Sequence, residues 1–255
     1  VLMMPGLGGD PNHFHWLARS LMQAGWPVLV LEHPGSDATA VQGLLEGRQS
    51  FDGAAALRDR LADLAAVLEA QQRGDLNIPG TEVVLMGHSL GALTALLASG
   101  AELVPGMAQR CEAALAGLPL TNLSELLQCE LAAGRVLESK AMDPPPRAVV
   151  GLNSFGGLIW PHRASRALPI PLLMVGGTLD LITPPLDEQL ALLAGLAEHP
   201  ASRVEVVEGA SHFSPIRVDG QGMASEGDDL FRLGEELVGV NPLLSLIHIS
   251  EPTRR

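Results

Sequence analysis

The sequence predicts an α/β domain: a mostly parallel sheet with helices on both faces. Three observations point there. Short apolar runs rich in β-branched residues alternate with amphipathic helical stretches, the pattern of a parallel sheet covered on both sides. Residues 82–98 pass from such a run through Gly87-His88-Ser89-Leu90-Gly91 straight into Ala92-Leu93-Thr94-Ala95-Leu96-Leu97-Ala98, which reads as strand, tight turn and helix. With 47% hydrophobic residues, the 255-residue chain can bury one sizeable core, and residues 1–242 are expected to form a single domain.

Val1-Leu2-Met3-Met4 opens as a strand, followed by Pro5-Gly6-Leu7-Gly8-Gly9, a turn whose glycines let backbone N–H groups approach a ligand. Phe14, Leu17, Leu21 and Met22 recur at helical spacing and place a helix over 12–24. A strand over 27–31 exits through His33-Pro34-Gly35-Ser36-Asp37, and residues 38–50 read as irregular. Leu57, Leu61, Leu64 and Leu68 mark the apolar face of a long helix over 52–72, with Arg and Asp assigned to the other face. Residues 103–146 then interrupt the alternation with helices over 106–116 and 122–135, joined by 117–120 and closed by Asp143-Pro144-Pro145-Pro146. This insertion reads as a helical cap. Strands over 148–152, 171–175 and 203–207, a helix over 185–196 and a last helix over 228–238 resume the alternation.

Both ends carry expectations of their own. Val1 starts inside a strand with no initiator Met, so N-terminal strands or a signal peptide are expected upstream and the chain reads as a metagenomic fragment. Leu244 to Arg254 resembles the translated read-through of a transposase-type sequencing adapter, so 243–255 are expected to be a non-native tail.

The formal net charge of −13 argues against nucleic acid or an anionic membrane surface as partner, since both would repel the chain at long range. The longest apolar runs fall short of the roughly 18 residues that a spanning helix needs. A soluble domain follows, its compartment and oligomeric state left open. Aromatic residues make up 3% and Tyr is absent, so an apolar pocket would be lined mostly by Leu, Met, Ala and Val.

Gly87-His88-Ser89-Leu90-Gly91 fits a nucleophile elbow, a strained strand-to-helix turn that exposes a serine hydroxyl. A serine is a weak nucleophile until an imidazole can take its proton, and the imidazole needs a carboxylate to fix its tautomer. His212, in Gly209-Ala210-Ser211-His212-Phe213, follows the last strand; Asp180, in Gly176-Gly177-Thr178-Leu179-Asp180, follows the strand before it. In a parallel sheet these positions share the edge where ligands bind. His88 reads as packing beneath the elbow, His13 and His15 as structural or rim residues, His33 as a loop residue, His199 as surface, and His162 as lining the site near Trp160. No Cys, His or carboxylate cluster suggests a metal, and no cofactor is expected. Cys111 and Cys129 fall one on each cap helix; a disulfide and a pair of small buried residues are both open.

Gly6-Leu7-Gly8, His33-Pro34-Gly35-Ser36, the elbow, Asp180 and His212 together make the chain resemble an α/β-hydrolase serine esterase. It resembles the dienelactone hydrolase and platelet-activating-factor acetylhydrolase type, and Gly-Ala-Ser-His-Phe is also similar to cutinase-like polyesterases. The resemblance implies the α/β-hydrolase fold with a cap at about 103–146 and an oxyanion hole formed by the backbone N–H groups of Leu90 and Leu7. Two positions depart from the family pattern. Pro5 stands where a His usually precedes the first glycine of the oxyanion loop, and Asn153, where some relatives carry their acid, leaves Asp180 as the orienting carboxylate. The expected activity is hydrolysis of short-chain or lipid-like carboxylic esters, with Leu118, Leu120, Leu126, Leu127 and Trp160 lining the pocket. Two alternatives are a non-catalytic acyl-binding or regulatory protein on the same fold, and acyl transfer or perhydrolysis by the same triad.

Overall fold

The computed structural model describes residues 1–117, 122–132, 141–161 and 167–217. Leu118, Leu120, His162, the expected helix at 228–238 and the tail at 243–255 lie outside them.

Six parallel strands run in the order β2-β1-β3-β4-β5-β6: β1 (Leu2–Met4), β2 (Leu29–Val30), β3 (Val84–His88), β4 (Ala148–Leu152), β5 (Leu172–Gly177) and β6 (Arg203–Val207). The chain moves outward from β1 to β2 and then returns past β1 to β3, so the loops leaving β1 and β3 diverge between neighbouring strands. Such a switch point opens a crevice at the carboxyl ends of the strands. Alternation within the strands fills a core on each face: Leu2, Met4 and Leu85 face one cluster, Met3 and Met86 the other.

The helices follow from their caps and apolar stripes. After a 3-10 turn at Pro11–Phe14, α1 (His15–Gln23) supplies Leu17 and Leu21 to the smaller core. The segment expected to be irregular contains α2 (Ala38–Leu45): Asp37 accepts a hydrogen bond from the Ala40 N–H and caps it, although Thr39, Val41 and Gly43 are poor helix formers. Helix α3 (Gly53–Arg73) is capped by Asp52 and ended by Gly74 in the left-handed conformation, and it buries Leu57, Leu64 and Leu68. Helix α4 (Leu90–Ala98) is buried along its whole length. A π turn at Leu186–Leu190 runs into α7 (Ala191–Leu196), whose Leu192 and Leu196 join the same core cluster as the leucines of α3 and α4.

The cap comprises α5 (Met107–Ala116) and α6 (Ser124–Ala132), joined by a disulfide between Cys111 and Cys129 with Cα atoms 5.5 Å apart. The question left open by the sequence is thus answered for the bridge. Glu188, 1% exposed, fastens α6 to the body. Its Oε1 accepts from Asn122 Nδ2 (2.9 Å), Ser124 Oγ (2.8 Å) and Gln128 Nε2 (3.0 Å), its Oε2 from the N–H groups of Gly156 (2.7 Å) and Gly157 (2.8 Å). Burying a carboxylate is costly unless its lone pairs are filled, and here five donors fill them. No helix among the described residues is long and apolar enough to cross a membrane.

Candidate active site

Ser89 sits between β3 and α4 at φ 51°, ψ −117°, a conformation that costs a non-glycine residue on the order of 1–3 kcal/mol and that must be held by its surroundings. The flanking glycines do the holding. A Cβ on Gly91 would lie 2.0 Å from the Met4 carbonyl oxygen, and one on Gly87 would lie 2.2 Å from the Gly91 carbonyl carbon. On the other side, the Ser89 N–H donates to Leu152 O at 2.9 Å. The Ser89 hydroxyl does not cap its own helix, which leaves Oγ available to a ligand.

Asp180 and His212 meet at the same edge of the sheet. His212 Nδ1 lies 3.0 Å from Asp180 Oδ2, and both residues are buried. With Nδ1–H donating to the carboxylate, Nε2 carries the lone pair that can accept a proton. Asn153 Nδ2 also donates to Oδ2 at 2.7 Å, and the Thr183 hydroxyl lies 2.6 Å from Oδ2 and 3.1 Å from His212 Nδ1. Oδ1 accepts from the N–H groups of Ile182 (2.9 Å) and Thr183 (2.8 Å). Burial by itself would raise the Asp180 carboxyl; the charge and hydrogen bond of His212, with the Thr183 bonds, outweigh it and hold the carboxyl below its ordinary value.

His88 fixes the loop that carries His212. Its Nε2–H donates to the His212 carbonyl at 2.9 Å, and the two rings lie 4.9 Å apart centre to centre. Burial, reinforced by the nearby His212 charge, lowers His88 to about 3, so it stays neutral. Met4 pairs with Gly87 across β1 and β3, which brings Pro5 and Gly6 beside His88 and Ser89. A Cβ on Gly6 would lie 3.1 Å from that of Ser89. The 5–9 loop is pinned by Gly8 N–H to Ser36 O (2.9 Å) and Gly9 N–H to Gly6 O (3.2 Å). Among the described residues, the Leu7 and Leu90 N–H groups have no acceptor.

A model of the Alpha/beta hydrolase family matches residues 1–225. The chain belongs to the alpha/beta hydrolase family. Comparison with curated proteins returns no sequence match. Among solved structures, one from the metagenome-derived lipolytic enzymes LipS and LipT aligns at TM-score 0.51 and 11% identity, covering 93% of this chain and 92% of that one. A thermophilic esterase of Thermogutta terrifontis with bound propionate gives 0.49 at 16% identity, over 100% and 84% of the two chains. The monoacylglycerol lipase of Paleococcus ferrophilus gives 0.46 at 17% identity, over 93% and 92%. At 11% identity, the likeness to the first of these speaks to the fold alone.

Within this alpha/beta hydrolase, the remaining sequence-derived candidates fall in different places. Trp160 is a core residue, fully buried, its indole N–H donating to Glu102 O at 2.7 Å. Leu126 is exposed on the cap and Leu127 packs partly buried against the core. His13 Nδ1 accepts from the Asp10 N–H within a helix cap, and His33 Nδ1 pairs with Asp63 Oδ2 at 3.0 Å. Among the described residues no group of His, Cys, Asp or Glu is placed to hold a metal. Sequence reasoning missed Arg60, which it assigned to the polar face of α3; the residue is 1% exposed and lies in the core stripe. The signal was present, because 57, 60, 64 and 68 share one helical face. Thr183 and Asn153 as partners of Asp180 had no comparable pattern to reveal them.

Proposed function

We propose that this alpha/beta hydrolase is a serine carboxylic-ester hydrolase. Ser89 Oγ attacks the acyl carbonyl carbon while His212 Nε2 takes the hydroxyl proton, and Asp180 holds the imidazole and stabilises its cation. The carbonyl oxygen becomes an oxyanion that accepts hydrogen bonds from Leu90 and Leu7 N–H. Collapse breaks the bond to the alcohol, which leaves with the proton from His212. Water, deprotonated by the same imidazole, then releases the acid and returns Ser89.

The observation that most supports this reading is the pairing of His212 with a five-donor Asp180, at the sheet edge that also carries the strained Ser89. Short-chain or lipid-like acyl esters are the proposed substrates. The cap favours apolar chains: Leu123 N–H donates to Leu181 O, and Leu123, Leu126, Leu179 and Leu181 expose their side chains where cap and acid loop meet.

The test compares wild type and Ser89→Ala on p-nitrophenyl acetate and butyrate, alongside labelling by a fluorophosphonate. Turnover and labelling are expected of the wild type, and both should vanish in the variant. Equal rates for the two proteins would exclude serine catalysis, and a wild type that neither labels nor turns over ester is an acyl-binding protein or a dead site.

A further inference from the structure

Arg60 is a buried cation that the reaction described above does not use. Its guanidinium donates to three neutral acceptors: Pro5 O, Ser36 Oγ at 2.9 Å and Thr94 Oγ1 at 3.1 Å. The nearest carboxylate that perturbs it, Asp63, is itself taken up by His33. Burial lowers Arg60 to about 9, against the opposing pull of Asp63, so it remains charged at neutral pH. A buried cation without a bonded counter-ion is a poor device for stability, since apolar residues of similar volume usually serve a core as well or better.

Its three acceptors have one thing in common. Pro5 O belongs to the peptide entering Gly6-Leu7. Ser36, whose hydroxyl Arg60 holds, accepts at its carbonyl from Gly8 N–H (2.9 Å), the residue after Leu7. Thr94, held at its hydroxyl, donates that hydroxyl to Leu90 O at 2.9 Å. One side chain therefore holds the backbone before Leu7 directly, the backbone after Leu7 through Ser36, and the Leu90 carbonyl through Thr94. The Pro5 carbonyl also lies against α4, where a Cβ on Gly91 would come within 2.7 Å of it.

We propose that Arg60 is a positioning residue that sets the separation and direction of the Leu7 and Leu90 N–H groups, a role resting on the reading of those amides as the oxyanion hole. The tether at position 5 is taken on the backbone carbonyl of Pro5. Donors preset for the oxyanion act only as charge develops, so misaligning them lowers kcat and leaves KM in place.

The experiment measures kcat, KM, melting temperature and the inhibition constant of an alkyl trifluoromethyl ketone for wild type, Arg60→Met and Arg60→Lys, with active sites counted by fluorophosphonate titration. Arg60→Met should lose on the order of 10- to 100-fold in kcat per titrated site, with KM within about 3-fold. The ketone, whose serine adduct carries an oxyanion, should weaken by the same factor, and Arg60→Lys should recover part of both. If Arg60→Met does not fold, Thr94→Val and Ser36→Ala decide, each expected to lower kcat and weaken the ketone in parallel. Unchanged kcat and ketone affinity in folded variants would overturn the brace. So would losses that track melting temperature alone. A wild type inert to ester and fluorophosphonate would instead overturn the reading of the site, and this one with it.

Discussion

Asp180 and Asn153 show how much of a site can depend on one neutral amide. Asn153 sits at φ 46° after β4 and donates to Asp180 Oδ2, the oxygen that also receives His212. Asn153→Asp would set a second carboxylate 2.7 Å from the first, and two such groups cannot both ionise freely. On the proposed mechanism the added negative charge beside the imidazole favours its cation, the form that cannot act as base, so the acid limb of the kcat/KM profile should move to higher pH. A pH–rate titration of the variant checks this. At the elbow, Gly91→Ala would drive a methyl group into the Met4 carbonyl, and the variant is expected to yield no folded, probe-reactive protein. Expression followed by fluorophosphonate labelling reads that outcome. These residues also mark what the sequence could tell. Gly87, Ser89 and Gly91 were legible because a strained turn demands their spacing. Asn153 was legible only as a non-acid, because a donor's target is set by packing between distant loops.

At the scale of elements, the cap is held by two devices of different kind. The Cys111–Cys129 bridge closes a loop of sequence separation 18, for which the chain-entropy account gives on the order of 3 kcal/mol. Thiol titration should find no reactive cysteine in native protein and two after reduction, and the double Ser variant should lose about 2–4 kcal/mol in a denaturant titration. Glu188 acts between elements. In Glu188→Gln the amide group must face either the Gly156 and Gly157 N–H groups or the Asn122, Ser124 and Gln128 donors. Neither orientation is satisfied, so this near-isosteric change should cost about 3–5 kcal/mol, visible as a lower urea midpoint. The alternation of strands and helices was plain from periodicity, and the cap was plain as its interruption. Helix α2 was not, because the Asp37 cap outweighs a sequence with β-branched residues and glycine. Arg60 is hidden from such a pattern, because its charge argues for the polar face and only its phase with Leu57, Leu64 and Leu68 places it in the core stripe.

Over the whole molecule, the sheet gathers Ser89, Asp180 and His212 at one edge and its acid sensitivity in the interior. His33 and His88 are both lowered from 6.5 to about 3, chiefly by burial, so the folded chain refuses protons that the unfolded chain takes up. Stability contributed by keeping them neutral is complete above pH 6.5 and is lost as pH falls towards about 3. Each group adds up to about 1.4 kcal/mol per pH unit to that slope. Melting temperature should therefore drop between pH 7 and pH 5, and His88→Asn should flatten the dependence; a flat wild-type profile would show that these rings titrate normally. The parallel order and the position of the crevice were readable in outline from the succession of strands. The register that sets Met4 beside Gly87, and so the 5–9 loop beside the elbow, needed coordinates.

The cross-link between α5 and α6 ties the insertion to itself and not to the sheet. Ser89, Asp180 and His212 all lie outside it. The segment is consequently a cassette: on the proposed ester-hydrolase reading, grafting a different disulfide-closed pair of helices, with the Glu188 partners kept, should alter the choice of acyl chain while Ser89, Asp180 and His212 stay in register.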